Sequence, residues 1–287
     1  MRTLYVSDLD GTLLGENAVL SEFTRNTINE LVDQGLLFTY ATARSHKTAS
    51  QVLEGLRCSA PAITHNGGFL TDPGTGMIYD VVTFEPEDVR RAEDVFRFHN
   101  AVPVVYSLFG EKKLPGFIPE KLSWYQGRET GGLNRFLKMH ENDPRLNPVH
   151  SEEELFEGIP FYYNLIDSKE KLEEISRHFD DPSKYFYTLQ QEIYSPCDYW
   201  LEIMPANATK AMGLKRLRKE FHFDRVVCFG DALNDVSMFQ TADEAYAMEN
   251  GAEILKKTAA AVIGSNLEDG VAKWLLENGQ IVPGGTL

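Results

Sequence analysis

A short apolar run, Leu4-Tyr5-Val6, stops on two aspartates two residues apart, Asp8 and Asp10, followed at once by Gly11 and Thr12. This feature constrains the fold most sharply. A buried strand that ends in two carboxylates sets them at the carboxyl edge of a sheet, where open parallel sheets bind ligands. Gly11 lets the chain turn away there, because glycine reaches φ > 0 without steric cost. A second junction of the same kind lies near the other end of the chain. The apolar stretch Val226-Val227-Cys228-Phe229 runs into Gly230-Asp231, with Asn234 and Asp235 where a helix is expected to start. Asp231 and Asp235 are four residues apart and project to one side if that helix begins early. Each junction alone has an ordinary explanation: a solvated acidic turn at the first, helix-capping aspartates at the second. Together they suit a hard cation shared between two strand ends.

The surrounding pattern is an alternation of strand and helix. Ser21 is the expected N-cap of a helix that carries Ile28, Leu31 and Val32 on one face and stops at Gly35. Leu36 to Ala41 reads as a buried strand and Ala62 to Thr64 as a third. Asp72-Pro73-Gly74 signals a hairpin between Phe69-Leu70 and Met77-Ile78-Tyr79. Toward the end, a helix begins near Thr209, and Arg225 to Phe229 is a strand. Asn234 to Gln240 is helical, Ala245 to Met248 and Ala261 to Ile263 are short strands, and a last helix covers Asp269 to Asn278. Alternation of this kind implies a parallel sheet covered on both faces.

From about Glu85 to Tyr199 the character changes. Aromatic residues accumulate (Trp124, Tyr125, Tyr162, Tyr163, Tyr185, Tyr187, Tyr194), and helical windows at Pro86 to His99 and Ser168 to His178 sit among strand-like runs such as Val102 to Ser107 and Phe161 to Ile166. The expected organisation is one α/β domain made from both ends of the chain, residues 1–83 and 203–287, with an α+β domain inserted at 84–202. Such an insertion crosses to the core twice, and hinge motion is the default expectation.

Two further strand-to-helix junctions offer anion ligands. Thr42 follows the strand Leu36 to Ala41, and Lys210 opens a helix, where backbone amides already favour anions. A capping threonine and a solvated lysine are their ordinary readings; their weight comes from occurring with the acidic pair. The 287 residues carry 28 Lys plus Arg against 43 Asp plus Glu, a net charge of −15, which argues against a nucleic-acid partner. A small anionic substrate fits only where that charge is offset locally, by a metal or a placed lysine. Hydrophobic residues at 43% support a real core. No apolar run approaches the roughly 20 residues of a membrane span, and the N-terminus meets Asp8 before a signal-peptide core forms. Cys58, Cys197 and Cys228 show no metal-ligand spacing and read as buried thiols of a reducing cytosol, so the expected location is cytoplasmic.

The set Asp8-Leu9-Asp10-Gly11-Thr12, Thr42, Lys210 and Gly230-Asp231 through Asp235 resembles the four motifs of the haloacid dehalogenase superfamily of phosphotransferases. The segments Ala41 to Arg44, His65 to Gly68, Gly230 to Phe239 and Ser265 to Val271 look like its Cof-like branch, which carries a large inserted cap. Two departures stand out: Ala43 replaces the branch's usual glycine, and Met248 to Gly251 differs from its common sequence. The resemblance implies a Rossmann-like core and a Mg²⁺-dependent phosphatase acting on sugar phosphates and related small phosphoesters. Asp8 would be the nucleophile and Asp10 the general acid and base. Mg²⁺ would be held by Asp8, the backbone carbonyl of Asp10 and Asp231, with Asp235 either a ligand or an acceptor that orients metal-bound water. Thr42 and Lys210 would hold the phosphoryl oxygens. Asn234 would bond to the metal site or to phosphate, and Arg44, Asn66, Gly67 and Glu202 are candidates for substrate contact. The implied partner is a small phosphorylated metabolite, with the chain a monomer or weak homo-oligomer. A phosphosugar mutase and an inactive sensor of phosphorylated ligands are the alternatives; the first needs water kept from the aspartyl-phosphate, and the second is disfavoured by the intact acidic set.

Overall fold

The computed structural model describes residues 1–191 and 198–282; Tyr194 and Cys197 lie outside the described residues. The chain divides into two compact units, one made of Met1–Val81, Leu114–Gly116 and residues from Ala208 onward, the other of Val82–Lys113 and Phe117–Asn207. The second junction differs from the 202/203 expected from sequence for a simple reason. The strand Tyr199–Pro205 is hydrogen-bonded along its length within the second unit, so a boundary at 202/203 would cut it. The chain also passes between the units four times, at 81/82, 113/114, 116/117 and 207/208, where two crossings were expected. The extra pair arises because Gly116 exchanges backbone hydrogen bonds of 2.9 and 3.0 Å with Ile78 of the first unit.

The first unit is built on a five-stranded parallel sheet, in the order Ala261–Ile263, Glu244–Met248, Arg225–Gly230, Thr3–Ser7, Leu37–Tyr40. Apart from the exposed edge strand Ala261–Ile263, its strands are largely buried on both faces, as a sheet covered on both sides requires. Tyr5, Phe38, Val227 and Phe229 pack against Ile28, Leu31 and Leu275 on one face. Leu4, Val6, Leu37, Val226 and Cys228 pack against Leu214, Leu217, Met238 and Leu255 on the other. The helix Glu22–Gln34 begins where the Ser21 hydroxyl accepts from the Thr24 amide and ends at Gly35, whose φ of 109° suits a residue without Cβ.

Ala62–Thr64 is a buried strand, as expected, but it heads a separate antiparallel sheet with Phe69–Thr71 and Ile78–Val81, beside an Ala41–Ile63 bridge. The turn His65–Gly67 folds Phe69–Thr71 back beside it, and Asp72 Oδ1, accepting from the amides of Gly74 and Thr75, folds Ile78–Val81 back in its turn.

The second unit carries a six-stranded sheet, ordered Tyr185–Gln191, Tyr199–Pro205, Ile159–Asp167, Val104–Leu108, Glu120–Tyr125, Leu146–Val149, antiparallel except for its last pair. On one face, Val105, Tyr163, Leu165, Leu201 and Ile203 pack with residues of the helices Pro86–Phe98 and Lys169–Ser176. On the other, Val104, Leu122, Trp124 and Ile166 pack with Leu133 and Phe136 of the helix Gly131–Met139. Several aromatics of the middle segment are therefore core: Tyr163 stacks on Phe84, and Tyr185 meets Phe179 edge-on.

Neighbouring residues of the helix Gly270–Asn278 give a direct test of this packing. Leu275 is fully buried and Leu276 is 53% exposed. Leu275→Ala is expected to cost about 2–5 kcal/mol in denaturant unfolding, and Leu276→Ala about 0.5 kcal/mol or less.

Candidate active site

Register brings the two acidic junctions together. Thr3–Ser7 and Arg225–Gly230 are adjacent parallel strands with Ser7 opposite Phe229, so both chains leave the sheet side by side. The Asp8 amide donates to the Phe229 carbonyl at 2.9 Å, one bond beyond the ladder. Residues 223 positions apart in sequence thus sit at neighbouring strand tips. Carboxylate oxygens of Asp8, Asp231 and Asp235 all lie within 4.8 Å of one another.

Lys210 binds this cluster from a third element. It is the first residue of the helix Lys210–Phe221, capped by Thr209, and it is almost wholly buried. Its Nζ donates to Asp8 Oδ1 at 2.5 Å and to Asp235 Oδ1 at 2.7 Å. Asp235 is fully buried, and its Oδ2 accepts from the amides of Asp231 and Ala232, both at 3.1 Å. Asp231 Oδ1 accepts from the Thr12 hydroxyl at 2.7 Å. Thr12 lies inside the first motif, yet no local pattern singles it out, because its role depends on a residue from the far end of the chain. Gly11 answers to the same neighbour: at its φ of 80°, a Cβ would stand 2.3 Å from Asp231 Oδ2.

The remaining candidates are placed differently. Asp10 turns its carboxylate to Arg44, which donates from Nε at 2.8 Å and Nη2 at 2.6 Å in a bidentate pair. That bonding raises the Arg44 pKa further. The Asp10 side chain is 53% exposed and stands apart from the buried carboxylates. Thr42 is buried, and its hydroxyl oxygen accepts from the Arg44 amide at 3.1 Å. Asn66 has a positive φ of 56°, and its Oδ1 accepts from Asn234 Nδ2 at 3.2 Å. Asn234 thus meets Asn66, another residue of the expected site. Gly67, at a φ of 106°, lies so close to the Thr209 carbonyl that a Cβ would be 2.0 Å from it, so this loop buttresses the start of the lysine helix. Glu202 belongs to the second unit. There it accepts from the hydroxyls of Tyr162 and, at 2.8 Å, Thr188.

Charge in the buried cluster does not balance, with three carboxylates facing one ammonium. Burial, with Asp235 and Asp231 adding to it against Lys210, pushes Asp8 up to about 8. Burial likewise raises Asp231. Lys210 is held above its ordinary value because the attraction of Asp8 and Asp235 outweighs its burial. An all-oxygen donor set with surplus negative charge fits a hard divalent cation.

A strand-tip acidic centre on an open parallel sheet is the arrangement of an α/β enzyme built around such a cation. The sequence profile of the haloacid dehalogenase-like hydrolases matches residues 5–275. The chain belongs to that family, as a phosphoric monoester hydrolase of its Cof-like branch. It is 28% identical over 277 residues to the 5-amino-6-(5-phospho-D-ribitylamino)uracil phosphatase YwtE of Bacillus subtilis, covering 93% of this chain and 95% of that protein. Among solved structures it resembles TM0651 of Thermotoga maritima, with a TM-score of 0.75 and 24% identity over 97% of this chain and 98% of that one. It also resembles the subclass IIB sugar phosphatase BT4131, with a TM-score of 0.69 and 19% identity over 96% and 98%.

The raised Asp8 carries a pH signature. In the folded protein this group stays protonated until about 8, whereas an unfolded aspartate ionises near about 4. The folded state therefore binds more protons across that window, and its stability falls as pH rises through it. Without divalent cation, the Tm of wild type relative to Asp8→Asn is expected to drop between pH 5 and pH 8, and added Mg²⁺ to recover it. A constant difference between the two proteins would contradict the assignment.

Proposed function

We propose that the chain hydrolyses small phosphoesters, sugar phosphates foremost, with Mg²⁺ as cofactor and an aspartyl-phosphate on Asp8 as intermediate. The observation that carries this reading is Lys210, buried and bonded at 2.5 and 2.7 Å to Asp8 and Asp235, with Asp231 within cation reach of both carboxylates.

Asp8 stands at a strand tip, where one carboxylate oxygen can attack phosphorus and split hydrolysis into two easier steps. Lys210 has three donors, two of them given to carboxylates, so the third is available to a phosphoryl oxygen. Thr42 uses its hydroxyl as an acceptor toward Arg44 and retains a proton for the same group. These donors stabilise charge that builds on the phosphoryl oxygens as the leaving group departs. Asp235 spends one oxygen on Lys210 and the other on two backbone amides, which supports an orienting role over direct ligation. Mg²⁺, when bound, would be held by Asp8, Asp231 and the Asp10 carbonyl, and would offset the repulsion between a phosphate dianion and the carboxylates.

Asp10 acts on the leaving oxygen and then on the hydrolytic water in this reading. Its carboxylate has to leave Arg44 to do so, and an incoming phosphate is a suitable competitor for that guanidinium. For substrate, YwtE is named for a compound whose phosphate sits on a ribityl chain.

A panel of phosphorylated sugars, sugar alcohols, nucleotides and cofactors tests the proposal through phosphate release. Hydrolysis is expected to require Mg²⁺, to be abolished by chelator, and to fall by about 10³-fold or more in Asp8→Asn. Near-wild-type turnover in that variant removes Asp8 as nucleophile, and an isomerised product without free phosphate would establish a mutase.

A further inference from the structure

The second unit holds two imidazoles directed at one another. His99 closes the helix Pro86–Phe98, and His178 lies in the turn Arg177–Phe179 that follows the helix Lys169–Ser176. Their Nε2 atoms are 3.0 Å apart, with ring centroids separated by 5.1 Å and planes inclined at 66°. Both side chains are half-buried, so a solvated ion can reach them.

The backbone on either side is tied down. Arg91 Nη2 donates to the His178 carbonyl at 3.0 Å, and Lys171 Nζ to the Asn100 carbonyl at 3.3 Å. Lys171 also pairs with Asp167 at 2.8 Å, which offsets its charge beside the rings. Burial, then the facing His178, hold His99 below the usual histidine pKa, so its ring keeps a lone pair at neutral pH. Glu174 is exposed, acts electrostatically on His99, and precedes His178 by four residues, one helical turn.

We propose that His99 and His178, joined by Glu174, form a second cation site, selective for a borderline transition metal such as Zn²⁺ and distinct from the carboxylate centre. Two nitrogens, each about 2.0–2.1 Å from one Zn²⁺, lie about 3.3–3.4 Å apart in tetrahedral geometry. The two Nε2 atoms, now 3.0 Å apart, need to separate by only a few tenths of an ångström to reach it. Imidazole nitrogen discriminates against Mg²⁺, which demands oxygen ligands, so the two sites take different ions.

Binding exchanges a hydrogen bond for two metal bonds and turns both rings toward a shared point. One Nε2–H now bridges the rings; the cation displaces it, and the proton moves to Nδ1 of that ring or to solvent. Glu174 has to swing in, because among the described residues only Asp8, Asp231 and Asp235 already converge as a set of three. Bound metal would cross-link residues 79 positions apart and join the ends of two helices that cover the same sheet face.

The experiment uses the full chain with saturating Mg²⁺, which keeps the carboxylate centre occupied, and titrates Zn²⁺. At a hundredfold excess over Kd, the apparent Tm is expected to rise by about 5–10 °C. His99→Gln and His178→Gln should each weaken Zn²⁺ binding by about tenfold or more, with Mg²⁺-dependent phosphate release unchanged. Cu²⁺ as a probe should show two coordinated nitrogens by electron paramagnetic resonance in wild type and one in each variant. An undiminished Zn²⁺ response in the double variant, or a copper signal without nitrogen coupling, would overturn the proposal and leave a histidine–histidine hydrogen bond. Should the variants fail to fold, anomalous scattering from Zn²⁺-soaked wild-type crystals decides: a peak between the two Nε2 atoms supports the site, and its absence refutes it.

Discussion

Lys210 is the interaction on which the rest of the site depends. A lone ammonium buried this completely would carry a severe desolvation cost, and so would Asp8 and Asp235 without it. Each group is tolerated because the others are present. The bonds also tie three separate parts of the chain to one point: the tip of the first strand, the tip of Arg225–Gly230, and the start of the helix Lys210–Phe221. Excess negative charge remains after the pairing, so the folded protein holds a strained electrostatic arrangement that a bound cation would relieve. Stability and chemistry pull in opposite directions at this centre, as they commonly do where function needs an uncompensated charge.

Much of the first unit was legible in the sequence because its signals are local. Leu4 to Val6 before Asp8, Ser21 ahead of an apolar-periodic stretch, and Gly35 after it each report on a few neighbouring residues. The acidic set was legible for the same reason, since strand ends recur with carboxylates in a fixed spacing. What escaped was set by partners distant in the chain. Thr12 matters because Asp231 lies opposite it. Asn234 goes to Asn66 because the loop His65–Gly67 is brought to it in three dimensions. Arg44 reaches Asp10 across a gap that no spacing rule encodes. Ala62–Thr64 is legible as a strand, but its apolar character is the same in either sheet, and its pairing with Phe69–Thr71 is a contact that no local signal states.

The two centres in this chain illustrate how donor chemistry sorts ions. One is a buried oxygen cluster with surplus charge, suited to a small, strongly hydrated cation. The other is a nitrogen pair near the surface, suited to a softer one. Histidines of this kind are easily dismissed, because nothing in the sequence relates residue 99 to residue 178. They meet because Pro86–Phe98 and Lys169–Ser176 cover the same face of the six-stranded sheet.

The short return of Leu114–Gly116 bears on how such an insertion can be exchanged during evolution. Gly116 supplies backbone partners to Ile78, at the rim of the three-stranded sheet. Excising the inserted segment as a simple cassette would leave that rim with open amide and carbonyl groups, a template for self-association. A replacement module has to bring its own tongue of chain to seal the same border, so inheritance of new caps is restricted to those that carry the plug with them.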